Sequence, residues 1–290
     1  MENFVRPSSP PKYFALDVDG TFYAFDEDSY AKNRKAFRKL VEAGYVPFLC
    51  TGRPLLGVFE DLKDLYTDGI YNGFPGVYQN GAIVYNHHGD LIILKSFDAD
   101  FIGSLCNILV QHDLRGSALF LSANGMHSLS TDSRCLQILK TISTVTAELD
   151  IVSPDDLKLV DILQIFVVDF HNLAPYIAWK ENVDCVTKHS HCGITTINPP
   201  GITKEAGIRA LMKEANVSTK DCAFIGDGDN DIEAMELADY SFAVGNADDS
   251  VKAHAKYVLE ETNEEGAFAK AVSLLYGIET DLTKCCTRSN

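Results

Sequence analysis

The stretch Tyr13-Phe14-Ala15-Leu16-Asp17-Val18-Asp19-Gly20-Thr21 decides the fold class. Its first four residues are a continuous apolar run, which is typical of a strand buried on both faces in a parallel sheet. Two aspartates follow, one residue apart, and Gly20 lets the chain leave the strand sharply. Because ligands of open α/β sheets lie beyond the carboxyl ends of the strands, Asp17 and Asp19 are predicted to project into one site.

Four more apolar runs bounded by Gly or Asp repeat this pattern, at residues 45–50, 222–225, 241–244 and 256–259. Helix-like stretches lie between such runs, at residues 33–43, 204–215 and 231–237. Strand followed by helix, repeated along the chain, predicts an α/β fold, with a Rossmann-like open parallel sheet and helices on both faces.

The middle of the chain predicts a second domain. Residues 77–79 and 82–85 flank Asn80-Gly81, which is a strong signal for a β-hairpin. Another apolar run at 162–170 and helix-like segments at 101–112 and 175–182 follow. We predict an inserted α+β domain at 85–192, a core made of 1–84 and 193–290, and a loose polar tail from 280 onward.

Composition and charge limit the kinds of partner that the protein is expected to bind. The chain has 290 residues, of which 46% are hydrophobic and 23% charged, as in ordinary soluble globular proteins. Its formal net charge of -16 repels nucleic acid and anionic membranes, so we expect neither as a partner. A phosphate-bearing substrate would also be repelled, so a phosphate site needs its own local positive charge from a metal, a basic side chain or helix N-termini.

The eight cysteines form no C-x-x-C pair, and we expect free thiols that are mostly small buried apolar residues. Residues 1–11 contain no apolar signal core, and no window is long and apolar enough to span a bilayer. These features favour a cytoplasmic protein in a reducing environment.

A second polar motif, Thr51-Gly52-Arg53, directly follows the run at 45–50. A hydroxyl and free backbone N–H groups at a strand end can bind phosphate oxygens. A helix N-cap at Thr51, with Pro54 in the first turn, explains the same residues equally well. Arg53 is a candidate substrate contact, and an ordinary surface ion pair is an equally good explanation for it.

Two further motifs lie near the carboxyl end of the chain. Lys204 stands near a predicted helix start, where its charge opposes the helix dipole, so a phosphate or carboxylate partner is expected. The run at 222–225 ends in Gly226-Asp227-Gly228-Asp229-Asn230-Asp231, more acidic groups than a helix cap needs. Neither acidic motif is an EF-hand, because Phe22 and Ile232 stand where glycine is required. Paired carboxylates suit Mg²⁺, a hard cation that takes oxygen ligands.

In this order, Asp-x-Asp-Gly-Thr, Thr-Gly-Arg, Lys and Gly-Asp-x-x-Asn-Asp resemble the four signatures of the haloacid dehalogenase (HAD) superfamily. The closest subgroup is the Cof-type phosphatases, which are similar at residues 80–82, 244–247, 251–255 and 263–266. The match spans about residues 12–275, and the inserted domain resembles the C2-type cap of this family. Four motifs in order, each in its expected strand context, are specific as a set.

The resemblance implies a Mg²⁺-dependent phosphatase that acts on a small phosphorylated metabolite through a phospho-aspartate. Asp17 would be the nucleophile and a metal ligand. Asp19 would be the general acid and base, and its backbone carbonyl would also bind the metal. Asp227 would be the second carboxylate on Mg²⁺, and Asp231 would position Lys204 or a metal-bound water.

The resemblance also implies which residues bind the phosphate group and the rest of the substrate. The phosphate would be bound by Thr51, Gly52, Lys204 and Asn230. Arg53 and Asn80 are the candidate substrate contacts. The cap would close over the site, exclude water and select the leaving group.

Other functions compete with this interpretation. A phosphotransferase such as a phosphomutase could use the same fold, but that family carries serine in the second motif, where this chain has Thr51. A non-catalytic binding protein should have lost a catalytic group. The cluster His189-Ser190-His191-Cys192 could suggest zinc, but its spacing matches no standard structural site, so a polar loop is expected. The sequence indicates no oligomeric state.

Overall fold

The computed structural model describes residues 4–142, 148–189 and 193–280. In that part the strands are β1 Tyr13–Leu16, β2 Val46–Leu49, β3 Gly76–Tyr78, β4 Ile83–Tyr85, β5 Leu91–Leu94, β6 Ala118–Leu121, β7 Met126–Ser128, β8 Leu149–Ile151, β9 Gln164–Val168, β10 Val186–His189, β11 Ile194–Asn198, β12 Cys222–Gly226, β13 Ser241–Ala243 and β14 Tyr257–Val258. The α-helices are α1 Glu27–Glu42, α2 Leu55–Asp61, α3 Lys63–Thr67, α4 Ala99–Gln111, α5 Arg134–Ile142, α6 Pro154–Leu157, α7 Phe170–Leu173, α8 Lys204–Glu214, α9 Ile232–Leu237, α10 Asp249–Lys252 and α11 Ala267–Tyr276.

The main sheet is parallel, with the strand order β14-β13-β12-β1-β2. Leu16 at the end of β1 pairs with Leu49 of β2 on one side and with Ile225 of β12 on the other. The polar motifs that follow these three strands therefore emerge side by side at one edge. The predicted α/β fold is confirmed.

Helices cover both faces of this sheet. All four residues of β1 are buried, as the continuous apolar run predicts. Helices α1 and α11 pack against each other, and so do α8 and α9. Phe22 makes edge-on contacts with Phe37 of α1 and Phe268 of α11, and Phe14 of β1 lies against the ring of Phe268. These aromatic rings fasten the loop after β1 to the core.

Two predicted helices differ from the structure. Helix α1 begins at Glu27 rather than near 33, because the side chain of Asp26 caps it by accepting a hydrogen bond from the Ser29 N–H at 2.8 Å. The helix predicted at 175–182 is wrong. A single 3₁₀ turn ends at Tyr176, and Asn182 adopts a left-handed conformation with φ of 63° that ends any helical path.

The predicted hairpin is confirmed, although its loop is longer than Asn80-Gly81. Strands β3 and β4 pair antiparallel from Tyr78 opposite Ile83, which leaves residues 79–82 as the loop. Strand β5 joins them to make a three-stranded sheet. Residues 79, 80 and 81 all have positive φ, which only the last can adopt without a steric cost.

A separate six-stranded sheet has the order β10-β11-β9-β6-β7-β8 and forms the sheet of the cap. Its two faces carry separate apolar clusters, one of which includes residues of α4 and the other Cys135 of α5. The domain borders remain a prediction, and two strands bear on them. Strand β5 pairs with the hairpin on the predicted core side, and β11 pairs inside the cap sheet. We therefore propose that the cap runs from about 96 to 198.

Several smaller predictions can be compared with the described residues. The cysteines there, Cys50, Cys106, Cys135, Cys185 and Cys222, are buried, as expected. His189 hydrogen-bonds to Thr195, while residues 190–192, the part of the predicted tail that follows Thr280 and the remaining cysteines lie outside the described part. Of the helices that are described, none has the length and apolar character needed to cross a bilayer.

Candidate active site

Asp17 lies between two neighbouring loops at the carboxyl edge of the main sheet. Its backbone N–H continues the ladder to Ile225 at 3.0 Å, and the Cys50 N–H donates to Leu16 at 2.8 Å. The side chain is buried. The parallel register of β2, β1 and β12 thus brings Thr51, Asp17 and Asp227 to one place, as the sequence predicted.

Gly20 lets the loop after β1 fold tightly over Asp227. Its φ is 72°, and a Cβ at this position would lie 2.4 Å from Asp227 Oδ2. The next residue, Thr21, donates its hydroxyl to Asp227 Oδ1 at 2.7 Å. Thr21 belongs to the first motif, where no role was predicted for it, although a hydroxyl beside two aspartates is a usable signal.

Lys204 joins the first and last motifs. It is fully buried at the start of α8, and the side chain of Thr203 caps this helix by accepting from the Ala206 N–H at 3.0 Å. Its Nζ lies 2.5 Å from Asp17 Oδ1 and 2.6 Å from Asp231 Oδ1. Two carboxylates are therefore the partners that its unfavourable position at the helix start predicted.

Both carboxylate oxygens of Asp231 bind other members of this cluster. One of its oxygens binds Lys204. The other accepts the backbone N–H groups of Asp227 and Gly228, both at 3.0 Å. The predicted role of Asp231 in positioning Lys204 agrees with this geometry.

The cluster buries more negative than positive charge. Burial raises the pKa of Asp17 well above its ordinary value, against the attraction of Lys204, and repulsion from Asp231 and Asp227 adds to the rise. Burial and Asp231 likewise raise the pKa of Asp227 to about 6, although the Thr21 hydrogen bond opposes this. Burial alone would lower the pKa of Lys204, but the charges of Asp17 and Asp231 outweigh it and raise that pKa, so the ammonium stays charged.

A divalent cation fits this donor set. Carboxylate oxygens of Asp17, Asp227 and Asp231 lie within 4.8 Å of one another. Because both oxygens of Asp231 are already bound, Asp17 and Asp227 are the side chains with ligand capacity left. Burial, with added repulsion among the carboxylates, raises the pKa values of Asp17 and Asp227, and a hard cation would relieve that repulsion.

The predicted phosphate-binding residues also meet here. Thr51 is fully buried, and its backbone carbonyl accepts the Asn80 N–H at 3.0 Å. Asn230 Nδ2 donates to Asn80 Oδ1 at 2.9 Å, and a Cβ on Gly52 would lie 3.2 Å from the same oxygen. The structure therefore places Thr51, Gly52, Asn80 and Asn230 around one small space.

The carboxylate of Asp19 does not join the acidic cluster but points to Arg53. Arg53 Nε lies 2.7 Å from Asp19 Oδ2, Nη2 contacts Oδ1, and Nη1 pairs with Asp61. Burial lowers the pKa of Arg53, but its bonds to Asp19 and Asp61 outweigh this and raise the pKa overall. The ion pair expected for Arg53 is observed, and its role as a substrate contact stays a prediction. Sequence reasoning missed Asp61, because a lone aspartate in a helix carries no signal.

Asn246 fastens the loop after β1 from the outside. Its Nδ2 donates to the Gly20 carbonyl at 2.9 Å, and its Oδ1 accepts the Asn263 N–H at 2.9 Å. Both asparagines lie in stretches that resemble the Cof-type phosphatases, at residues 244–247 and 263–266, and the sequence predicted no role for them. They hold the loop after β1 in place.

Comparison with known proteins decides the family. A family model described as haloacid dehalogenase-like hydrolase matches residues 14–272, which is most of the chain. The chain belongs to the haloacid dehalogenase-like hydrolases. The predicted superfamily is confirmed, and with it the expectation that the protein is a hydrolase.

Individual relatives of this hydrolase agree with that assignment. The 5-amino-6-(5-phospho-D-ribitylamino)uracil phosphatase YbjI of Escherichia coli is 27% identical over 88% of this chain and 93% of its own length. A solved structure from Plasmodium vivax, described as a HAD/COF-like hydrolase, superposes with a TM-score of 0.81 at 27% identity, covering 92% of this chain and 96% of that one. The predicted Cof-type subgroup is thereby confirmed.

One relative is much longer than this chain. The chloroplastic endoribonuclease YBEY of Arabidopsis thaliana is 26% identical over 90% of this chain, but the match covers 46% of that protein. The hydrolase described here thus spans less than half of that relative.

Proposed function

We propose that this hydrolase is a Mg²⁺-dependent phosphatase that cleaves a small phosphomonoester through a phospho-aspartate on Asp17. The observation that carries the proposal is the buried contact of 2.5 Å between Lys204 Nζ and Asp17 Oδ1, beside Asp227. It places a nucleophilic carboxylate against a fixed positive charge at the carboxyl ends of three neighbouring parallel strands. Phosphoryl transfer depends mainly on such positioning and charge neutralisation.

The contact with Lys204 gives the two carboxylate oxygens of Asp17 different roles. Lys204 holds Oδ1 from one side, so we assign Oδ2 to the attack on phosphorus. Asp231 binds the Lys204 ammonium from the side opposite Asp17. The ammonium therefore cannot move with the Asp17 carboxylate when that carboxylate rotates. The nucleophile is therefore pre-oriented before substrate binds.

Asp17 and Asp227, with the backbone carbonyl of Asp19, are the groups that would hold Mg²⁺. When bound, the ion would neutralise charge on the transferring phosphoryl group. Thr21 helps here through its hydrogen bond to Asp227 Oδ1, which leaves Oδ2 as the oxygen for the ion.

The remaining side chains bind the phosphoryl group and move protons. Thr51, Gly52, Lys204 and Asn230 would bind its oxygens. As the bond between Asp17 and phosphorus forms and the ester P–O bond breaks, the carboxyl of Asp19 would give its proton to the leaving oxygen. Water then attacks the phospho-aspartate while the Asp19 carboxylate takes a proton from it, which restores both aspartates.

The substrate class follows from the relatives and from charge. The E. coli relative is named for a phosphorylated ribityl compound, and further relatives carry phosphatase names. We propose a sugar phosphate, polyol phosphate or similar small metabolite. The free buried thiols fit a reducing compartment, and we place the enzyme in the cytoplasm.

A phosphate-release screen tests the proposal. Substrates would include sugar and polyol phosphates, nucleotides, pyridoxal phosphate and p-nitrophenyl phosphate, each with Mg²⁺ and with a chelator. We expect release that requires Mg²⁺, and an Asp17→Asn variant that keeps its thermal melting temperature but loses at least about 10³-fold in kcat, because the nucleophile is gone.

The matched control is Asp229→Asn, since this exposed aspartate lies in the same loop as Asp227. It should retain wild-type turnover. Full turnover by Asp17→Asn, or release that ignores the chelator, would contradict the proposed mechanism.

A further inference from the structure

An acid–base–acid chain links helix α2 to the carboxylate of Asp19. Asp61, the last residue of α2, pairs with Nη1 of Arg53, whose other donors hold both oxygens of Asp19. The side chains of Arg53 and Asp61 are 18% and 11% exposed, while that of Asp19 is 56% exposed. Arg53 and Asp61 are thus largely shielded from solvent, whereas the Asp19 side chain is exposed.

Asp61 stands where a helix by itself does not favour an acid. A negative charge at the carboxyl end opposes the helix dipole, and the last turn of α2 carries no basic residue. A nearly buried carboxylate at this place therefore depends on its one guanidinium partner, Arg53. Its position is explained by what it does to Arg53 rather than by what it does for the helix.

The backbone of Arg53 is fixed as well as its tip. Its N–H donates to Thr51 Oγ1 at 3.1 Å, and its carbonyl accepts the Gln79 N–H at 3.0 Å. With the backbone bound to the predicted phosphate loop and Nη1 bound to Asp61, the guanidinium plane has little freedom. Two parallel bonds from that plane then set the rotation of the Asp19 carboxylate.

We infer that Asp61, acting through Arg53, is a positioning residue for the proton transfers of Asp19, and this inference rests on the proposed phosphatase function. Asp19 sits in extended backbone between β1 and the tight turn at Gly20, so its backbone is also constrained. A general acid must present its proton in a defined direction to the leaving oxygen. The bridge from Asp61 through Arg53 supplies that direction.

Two aryl phosphates of almost equal size test the inference. p-Nitrophenolate leaves readily without a proton, whereas phenolate from phenyl phosphate depends more on general acid catalysis. For Asp61→Asn we expect kcat/KM to fall about tenfold on phenyl phosphate and less than about threefold on p-nitrophenyl phosphate. Because kcat/KM reports the steps up to phosphoryl transfer, slow hydrolysis of the phospho-aspartate does not mask the difference.

Three further variants exclude a merely structural effect. Asp61→Glu keeps the charge and should recover most of the lost activity on phenyl phosphate. Arg53→Lys should show the same substrate-dependent loss as Asp61→Asn, since an ammonium cannot hold both Asp19 oxygens in one plane. Asp64→Asn, which removes a carboxylate just beyond α2 that pairs with Arg34, should leave the ratio of the two kcat/KM values at the wild-type level.

The outcomes separate the inference from the proposed function. Equal losses on both aryl phosphates in Asp61→Asn, or no loss on either, would overturn the positioning role while leaving the phosphatase proposal intact. A wild-type enzyme that releases phosphate from no compound of the screen would overturn both.

Discussion

At the scale of single residues, the site is a buried charge imbalance held in place by Lys204. Three carboxylates meet one ammonium, and burial together with repulsion among the carboxylates raises the pKa values of Asp17 and Asp227. Such a cluster is costly to bury unless a further cation joins it. The same imbalance that destabilises the metal-free protein would make the site bind Mg²⁺.

The pH dependence of stability follows from Asp227. Its pKa rises from 3.8 to about 6 on folding, so the folded state binds a proton more tightly than the unfolded state. Stability of the metal-free protein should therefore fall as pH rises through that window and then level off. In chelator, Asp227→Asn should be more stable than wild type, by a margin that grows from about pH 4 to about pH 7.

Thermal melting with and without Mg²⁺ measures this effect. Saturating Mg²⁺ should raise the melting temperature of wild type much more than that of Asp227→Asn, because the variant lacks a ligand. Asp229→Asn should follow wild type under both conditions. A margin between Asp227→Asn and wild type that does not change with pH would contradict the account.

The residues that the sequence predicted and those that it missed differ in kind. Asp17, Lys204 and Asp227 follow strand ends or a helix start, where the fold class alone specifies their location. Arg53 and Asp61 meet through side-chain rotamers across a helix, and no spacing rule in the sequence encodes that contact. Contacts of this second kind require coordinates.

At the scale of elements, prediction succeeded where burial is continuous and failed where the chain is polar. The strands of the main sheet are apolar throughout, so their places were readable. The first turns of α1 are charged and were missed, although Asp26 caps them. The segment 175–182 has a helix-like composition, but Ile177 has an extended backbone and Asn182 is left-handed, so no helix continues through it.

Close contact between α8 and the hairpin positions Lys204. A Cβ on Gly207 would lie 2.5 Å from Val77 Cγ1, and one on Gly81 would lie 2.5 Å from the Thr203 carbonyl. Alanine usually stabilises a helix by about 1 kcal/mol relative to glycine, but overpacking of this kind costs about 1–3 kcal/mol. We therefore expect Gly207→Ala to lower the free energy of unfolding and, by displacing α8, to lower kcat.

The matched control is Gly57→Ala in α2, where the new Cβ would meet Pro54 at an ordinary 3.5 Å. This change should raise the free energy of unfolding, by up to about 1 kcal/mol. Denaturant unfolding and turnover of the two variants form the test. A stabilised, fully active Gly207→Ala protein would show that the close contact is unimportant.

At the scale of the whole molecule, the fold gathers a buried lysine and a cation-binding pair of aspartates at one place in a negatively charged protein. The formal net charge is -16, yet strands β1 and β12 bring a cation-binding pair of aspartates to one edge of the sheet, where the start of α8 adds Lys204. The cap connects to this core beside the hairpin, where the Lys95 N–H donates to Ala82 at 2.9 Å. A cation bound by Asp17 and Asp227 would add to Lys204 the positive charge that phosphate needs on an otherwise repelling surface.

The central claim is that Asp17 carries the phosphoryl group during turnover. Acid quench of the working enzyme, followed by borohydride reduction and peptide mass spectrometry, would convert a phosphorylated aspartate into homoserine at its position. The account predicts homoserine at residue 17, formed only when substrate and Mg²⁺ are both present. Phosphate release under the same conditions with residue 17 unmodified, or with homoserine at residue 227 instead, would contradict it.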